Sequence, residues 1–277
     1  MIREPRYSGS FYPENASQLK ALLDTLFKEA PSLNLTGRVK ALISPHAGYI
    51  YSGKVAASGY SSLRNVNLDN VVIIGPSHHV AFDGMAVFAE GEWITPLGSV
   101  EVSKDLAEKI LGRSKFIFQD EEMHRVEHSI EVQIPFLQHI ADNSFKILPL
   151  MVGFLNEVSL SDISRVLYDF LRAHNDALLV VSSDLYHGYS HKECVETDRR
   201  TIKAILEMDG LKFHRKMETG KVMACGGGGI AILLEALKNF PIKPVEIYYT
   251  NSAEVTGIYT GYVVGYTSIA FQEIRDV

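Results

Sequence analysis

Only two cysteines, Cys194 and Cys225, occur in 277 residues, which excludes a disulfide-stapled scaffold and leaves each thiol to be explained singly. No stretch approaches the ~20 consecutive apolar residues of a membrane helix, and the opening Met1-Ile2-Arg3-Glu4-Pro5 is too polar for a secretion signal. The expectation is a cytoplasmic protein with no membrane partner. Lys and Arg form no cluster along the sequence and the formal charge is −6, so the electrostatic footprint of nucleic-acid binding is missing as well. There is no paired Cys-x-x-Cys and no Gly-Lys-Ser/Thr ending of a phosphate-binding loop. Linkers, low-complexity tracts and long internal repeats are also lacking, so residues 1–277 are expected to form one α/β domain.

What is present is a recurring arrangement. Three apolar runs end in short polar turns that carry histidine: Val39–Ile43 before Ser44-Pro45-His46-Ala47-Gly48-Tyr49, Val71–Ile74 before Gly75-Pro76-Ser77-His78-His79, and Leu178–Val181 before Ser182-Ser183-Asp184-Leu185-Tyr186-His187. Each run reads as a buried strand, and Pro and Gly stop it from continuing. Open α/β sheets collect ligands outside the carboxyl ends of their strands, so three such turns point to one site at one sheet edge.

The intervening residues supply helices. Asn15 or Ser17 is a candidate cap for a helix carrying Leu19, Leu22, Leu23 and Leu26, expected to cover one face of the sheet. A helix over about 53–63 makes a β-α-β unit with the strands on either side, which predicts parallel neighbours. Residues 80–102 read as short β pieces around a hairpin, expected as an insertion beside the site. Further helices are expected over about 103–111, from Ile130 with a restart at Pro135, over 159–171 capped by Ser159 or Ser161, 192–208, 210–216 and 230–237. Strands are expected over 145–152, 245–250 and 259–271. Cys194, among His191, Lys192, Glu193 and Glu196, reads as part of a solvated helical turn.

His46, His78 and Cys225 form a borderline-soft donor set that suits zinc, iron or copper better than magnesium or calcium. Three protein ligands leave a coordination position open, as a catalytic metal requires. Asp184 and His187, on the third turn, are candidates for proton transfer, with His79 and the pair Glu127-His128 as supporting residues. Two other readings stay open. The glycines of Cys225-Gly226-Gly227-Gly228-Gly229 suit a phosphate at a helix N-terminus, and Cys225 suits metal-free nucleophilic chemistry with His46 or His187 as its base.

Taken in order, Gly-Ser-Phe-Tyr-Pro at 9–13, Pro-His-Ala-Gly-Tyr at 45–49, Gly-Pro-Ser-His-His at 75–79, Glu-His-Ser-Ile-Glu at 127–131, Ser-Ser-Asp-x-x-His at 182–187, Cys-Gly at 225–226 and Asn-Ser-x-x-Val-Thr-Gly at 251–257 resemble the MEMO family over nearly the whole chain. The resemblance implies a single α/β domain with a mixed, largely parallel sheet, similar to the class III extradiol (LigB-like) dioxygenases. It places the family's metal ligands on His46, His78 and Cys225 and its neighbouring acid and histidine on Asp184 and His187. The third position is a thiol where the dioxygenases have a carboxylate, so the resemblance implies a metal site, and catechol cleavage does not follow from it. The short N-terminus and compact loops look prokaryotic. Resemblance to such members implies Fe(II) or Cu(I), with Zn as an alternative, and partners among AMMECR1-like and radical SAM proteins. The expected function is a redox-active, dioxygenase-like metal protein, with a small aromatic or other oxidisable molecule against Tyr49, Tyr51 and Tyr186. A non-enzymatic adaptor for a peptide or protein, or a metal carrier, is the alternative use of the same cleft.

Overall fold

The computed structural model describes residues 1–63, 66 and 68–274. Its strands are β1 (Ile2–Arg3), β2 (Val39–Ser44), β3 (Asn70–Pro76), β4 (Met85–Val87), β5 (Gly91–Thr95), β6 (Gly98–Val102), β7 (Ile117–Gln119), β8 (Lys146–Val152), β9 (Leu178–Ser182), β10 (His187–Gly188), β11 (Ile242–Asn251) and β12 (Val263–Glu273). The helices are α1 (Ala16–Glu29), α2 (Tyr49–Ser61), α3 (Lys104–Ile110), α4 (Ile134–Ile140), α5 (Glu157–Ala173), α6 (His191–Leu206), α7 (Gly210–Glu218), α8 (Gly227–Leu237) and α9 (Ser252–Thr256). No described helix is long and apolar enough to cross a membrane.

The fold is α/β, built on one mixed and mostly parallel sheet ordered β1-β5-β6-β8-β3-β9-β2-β12-β10. Its centre, β8-β3-β9-β2, is parallel throughout, and β12 closes it antiparallel to β2. The central strands are apolar on both faces, as parallel strands sandwiched between helices must be. Alternate residues divide between two cores. Ala41, Ile43, Val72, Ile74, Leu179 and Val181 face α5, α6 and α8, whereas Leu42, Val71, Ile73, Leu178 and Val180 face α2 and α4.

Several expectations need correction. β2 and β3 are parallel but not adjacent, because β9 inserts between them. That pairing depends on a strand more than a hundred residues away, which no local β-α-β pattern encodes. Helix α1 buries Leu19, Leu23 and Phe27, chiefly against α2 and α4, so it forms an outer layer over the sheet's cover. The β5-β6 hairpin joins β8 at Lys146 and Ile147, its amino end, and so lies away from the site. Cys194 is fully buried and its thiol donates to Asp198 Oδ2 at 3.2 Å. Its helix buries Thr197, Asp198 and Thr201 along with Ile202, so a polar inner stripe hid the periodicity.

Helix α5 starts at Glu157, earlier than expected. Asn156 forms the cap, accepting from Val158 N and Ser159 N at 3.0 Å each while Ser159 Oγ accepts from the Asn156 N–H. Asn156→Ala should therefore cost about 1 kcal/mol of stability, read as a lowered urea midpoint at unchanged slope.

Candidate metal centre and cleft

Three strands deliver the site to one sheet edge. His46 follows β2 through Pro45, His78 follows β3, and Asp184 and His187 follow β9. Residues 127–133 lie across these ends, and Gly75 allows the approach, since a Cβ there would fall 2.4 Å from Ser129 Oγ. Cys225 arrives from the loop before α8. Gly226 is required for that path, because its Cβ would lie 2.4 Å from Ser182 O.

The proton on His46 is assigned by a buried chain of hydrogen bonds. Tyr60 Oη donates to Gln133 Oε1 at 2.8 Å, so the Gln133 amide nitrogen faces the other way. That nitrogen donates to Pro45 O at 2.9 Å and to Ser182 Oγ at 2.8 Å. Ser182 in turn spends its only hydrogen on Ser129 O at 2.6 Å. Its oxygen must therefore accept from His46 Nδ1–H across their 2.8 Å contact, leaving Nε2 with a free lone pair. Burial lowers the His46 pKa to about 3, so the ring is neutral and its 4.0 Å approach to Asp184 is not an ion pair.

His78 is oriented by a carboxylate. Glu127 Oε2 accepts from His78 N at 2.7 Å and Oε1 from His78 Nδ1 at 2.9 Å, again freeing Nε2. Oε1 also accepts from His128 N and Ser129 N at 2.9 Å each. Burial alone would raise the Glu127 carboxyl, but the hydrogen bonds it accepts from His78 Nδ1 and His78 N outweigh it and hold the group well below the carboxylate range.

His128 stacks on His78 with ring centres 4.6 Å apart and meets His46 edge-on at 5.2 Å. One ring nitrogen from each of His46, His78 and His128 lies within 4.8 Å of the others, a grouping that can hold a metal ion. A second such grouping, His79, Glu127 and His128, shares His128 with the first. His79 Nε2 lies 3.0 Å from Tyr7 Oη, whose hydrogen goes to Val126 O, so His79 donates there. Cys225 Sγ lies 3.1 Å from His46 Nε2 and accepts from Asp184 N at 3.1 Å. Burial and the nearby Asp184 push its thiol pKa up.

Asp184 and His187 line the cleft but are not hydrogen-bonded partners. Asp184 Oδ1 accepts from His46 N at 2.8 Å, and His187 Nδ1 donates to Leu185 O at 3.0 Å. Burial raises the Asp184 carboxyl to about 6. The cavity above these groups measures about 570 Å³. Its apolar wall is Phe11, Tyr51, Ile258, Tyr262, Val264 and Tyr266; among the described residues neither Lys nor Arg lines it. The N-terminal segment bearing Phe11 is held by a buried Arg3–Glu131 ion pair, with Tyr12 Oη donating to Glu131 Oε1 at 2.6 Å.

Of the three tyrosines expected at the ligand, only Tyr51 reaches the cavity. Tyr49 turns inward, where Oη donates to Val132 O at 2.7 Å, and Tyr186 packs beside Cys194 with Oη on Glu193. The glycine run is used for packing. Gly226 N donates to Ser183 Oγ and Gly227 N to Ala224 O, while Gly229 sits where a Cβ would meet Ile74 Cγ2 at 2.9 Å. The phosphate reading accordingly loses its first donors. Gln133, Ser182 and Phe11 are site residues that the sequence reading did not single out; the only signal for Gln133 is its place two residues after the Glu-His-Ser-Ile-Glu motif.

Residues 3–270 match the family model described as Memo-like protein. A MEMO1 family protein of Thermoplasma volcanium is 38% identical, covering 97% of this chain and 98% of that one. MEMO1 family proteins of Nitrosopumilus maritimus and Aquifex aeolicus are 36% and 35% identical, each over 98% of this chain and 100% and 99% of their own lengths. Among solved structures, an uncharacterized protein of Escherichia coli K12 aligns with a TM-score of 0.53 at 14% identity, covering 82% of this chain and 99% of that one, a likeness of fold.

Proposed function

The chain belongs to the Memo-like family, and from that premise we propose that it is a metal-dependent redox protein whose cleft admits a small uncharged aromatic molecule. The observation that carries the proposal is the pair of fixed tautomers. His46 and His78 each have Nδ1–H committed to a buried acceptor, so both offer Nε2 at the sheet edge before any ion arrives.

His46, His78 and the Cys225 thiolate are the proposed ligands, with His128 the adjoining imidazole. This donor set fits Fe(II) or Cu(I), and zinc after them. Bound there, such an ion supplies one-electron chemistry. The surrounding side chains do the rest. Asp184 and His187 line the cavity and are placed to take or return a proton from a ligand hydroxyl. Asp184, with its pKa near 6, is suited to that exchange close to neutrality. Tyr51, Tyr262 and Phe11 offer ring faces, and without a lining cation the cavity favours a neutral ligand over a phosphorylated or carboxylated one.

Metal analysis by mass spectrometry on untagged protein purified anaerobically tests the assignment. Near-stoichiometric iron or copper is expected in the wild type and is lost in His46→Ala and Cys225→Ser. Full retention in both variants would refute the ligand set.

A second reading rests on the cleft wall, where Tyr51, Ile258 and Tyr262 are 40%, 62% and 55% exposed. An exposed apolar wall suits a docking partner, with AMMECR1-like and radical SAM proteins as the first candidates. Equal recovery of such a partner with and without chelator, together with no turnover, would favour this adaptor role.

A further inference from the structure

Away from the cleft, α6, α7 and residues 221–222 enclose a hollow of about 410 Å³ lined by Arg200, Lys203, Glu207, Lys216, Lys221 and Val222. Four cations share it with one carboxylate, in a chain whose formal charge is −6. Glu207 is already engaged, since Lys212 Nζ and Lys216 Nζ each lie 2.9 Å from its Oε2. Among the described residues no carboxylate pairs with Arg200, Lys203 or Lys221. Arg200 is nevertheless ordered, donating from Nε to Lys221 O at 3.2 Å and from a terminal nitrogen to Thr197 Oγ1 at 2.8 Å.

We propose that this hollow is a binding site for a phosphate-rich anion. Three unpaired cations around one concavity repel each other, and a multiply charged anion removes that repulsion while making charge-assisted hydrogen bonds. Arg200 enters the complex with its guanidinium already fixed, so little of its freedom is lost on binding. Buried Val222 gives the hollow an apolar floor. The shared chemistry, a run of phosphates, belongs both to inorganic polyphosphate and to the tail of a nucleotide.

Calorimetric titration of the full chain with tripolyphosphate at low salt, repeated with ATP, tests the proposal. One-site binding is expected, accompanied by a rise in melting temperature, because the anion binds only the folded hollow. The doubly substituted Lys203→Gln/Lys221→Gln protein should bind about a hundredfold more weakly, at about tenfold per cation removed. A control pair of exposed lysines elsewhere, Lys20→Gln/Lys243→Gln, should bind as the wild type does. Tighter binding of ATP identifies the nucleotide as the source, and tighter binding of tripolyphosphate identifies the inorganic chain. No binding by the wild type, or equal weakening in both double variants, overturns the site, the latter because it marks a diffuse response to net charge.

Discussion

Stripped of metal by chelator, the protein should lose about 4 kcal/mol of folding stability between pH 7 and pH 5, read as a falling urea midpoint at constant slope. Burial lowers the pKa of His46 and His128 to about 3 and that of His124 to about 4, all from an ordinary value of 6.5. Between those limits the unfolded chain takes up protons that the native one refuses, so acid favours unfolding. At pH 5 each neutral imidazole forfeits about 2 kcal/mol relative to its unfolded counterpart. Asp184 acts in the other direction. Raised by burial to about 6 from 3.8, it binds its proton more tightly in the native state and returns about 1 kcal/mol at pH 5. The net loss is a large fraction of the 5–15 kcal/mol typical of a folded domain, roughly a quarter or more. Asp184→Asn should steepen the decline, since it removes the opposing group. A midpoint that stays level from pH 7 to pH 5 would mean that these rings are not held neutral.

The three strand ends were legible because apolar runs stopped by Pro or Gly are local signals, and the position of the site follows from their convergence. The side chains around it were less so. Tyr49 and Tyr51 are two residues apart on α2, about 200° around the helix axis, so only one of them can face the cleft. Which one depends on Val132 O, supplied by a distant segment that gives the Tyr49 hydroxyl its acceptor. His128 reads from the sequence only as a supporting residue. Its ring nonetheless joins His46 and His78 through the packing of residues 127–133 onto the sheet edge. The start of α8 within the glycines was hidden because helix propensity disfavours them. There, close contact with Ile74 and Val181 outweighs the propensity cost of about 1 kcal/mol per glycine.

Glu127, which the sequence marks as a supporting residue beside His128, takes as its main partner a residue far away in sequence, His78. Its carboxylate accepts four hydrogen bonds, from His78 N, His78 Nδ1, His128 N and Ser129 N, and it is 1% exposed. Glu127→Ala leaves those donors facing a cavity and should cost about 3–5 kcal/mol, the range seen when one member of a buried charged network is removed. It should also weaken the metal by about 10–100-fold, because His78 no longer has a reason to keep its proton on Nδ1. Glu127→Gln separates the two effects. Its oxygen still serves Nδ1 and the donors of residues 128 and 129, while its amide faces His78 N–H and loses one bond, so a stability loss of about 1–3 kcal/mol is expected. Nitrogen-15 NMR of the imidazoles reads the tautomer directly. The wild type and Glu127→Gln should show His78 protonated at Nδ1, and Glu127→Ala should show the proton shifted toward Nε2, with metal affinity falling in step. Unchanged affinity alongside that shift would remove His78 Nε2 from the ligand set, whereas an unchanged tautomer would mean that Glu127 does no more than hold the loop.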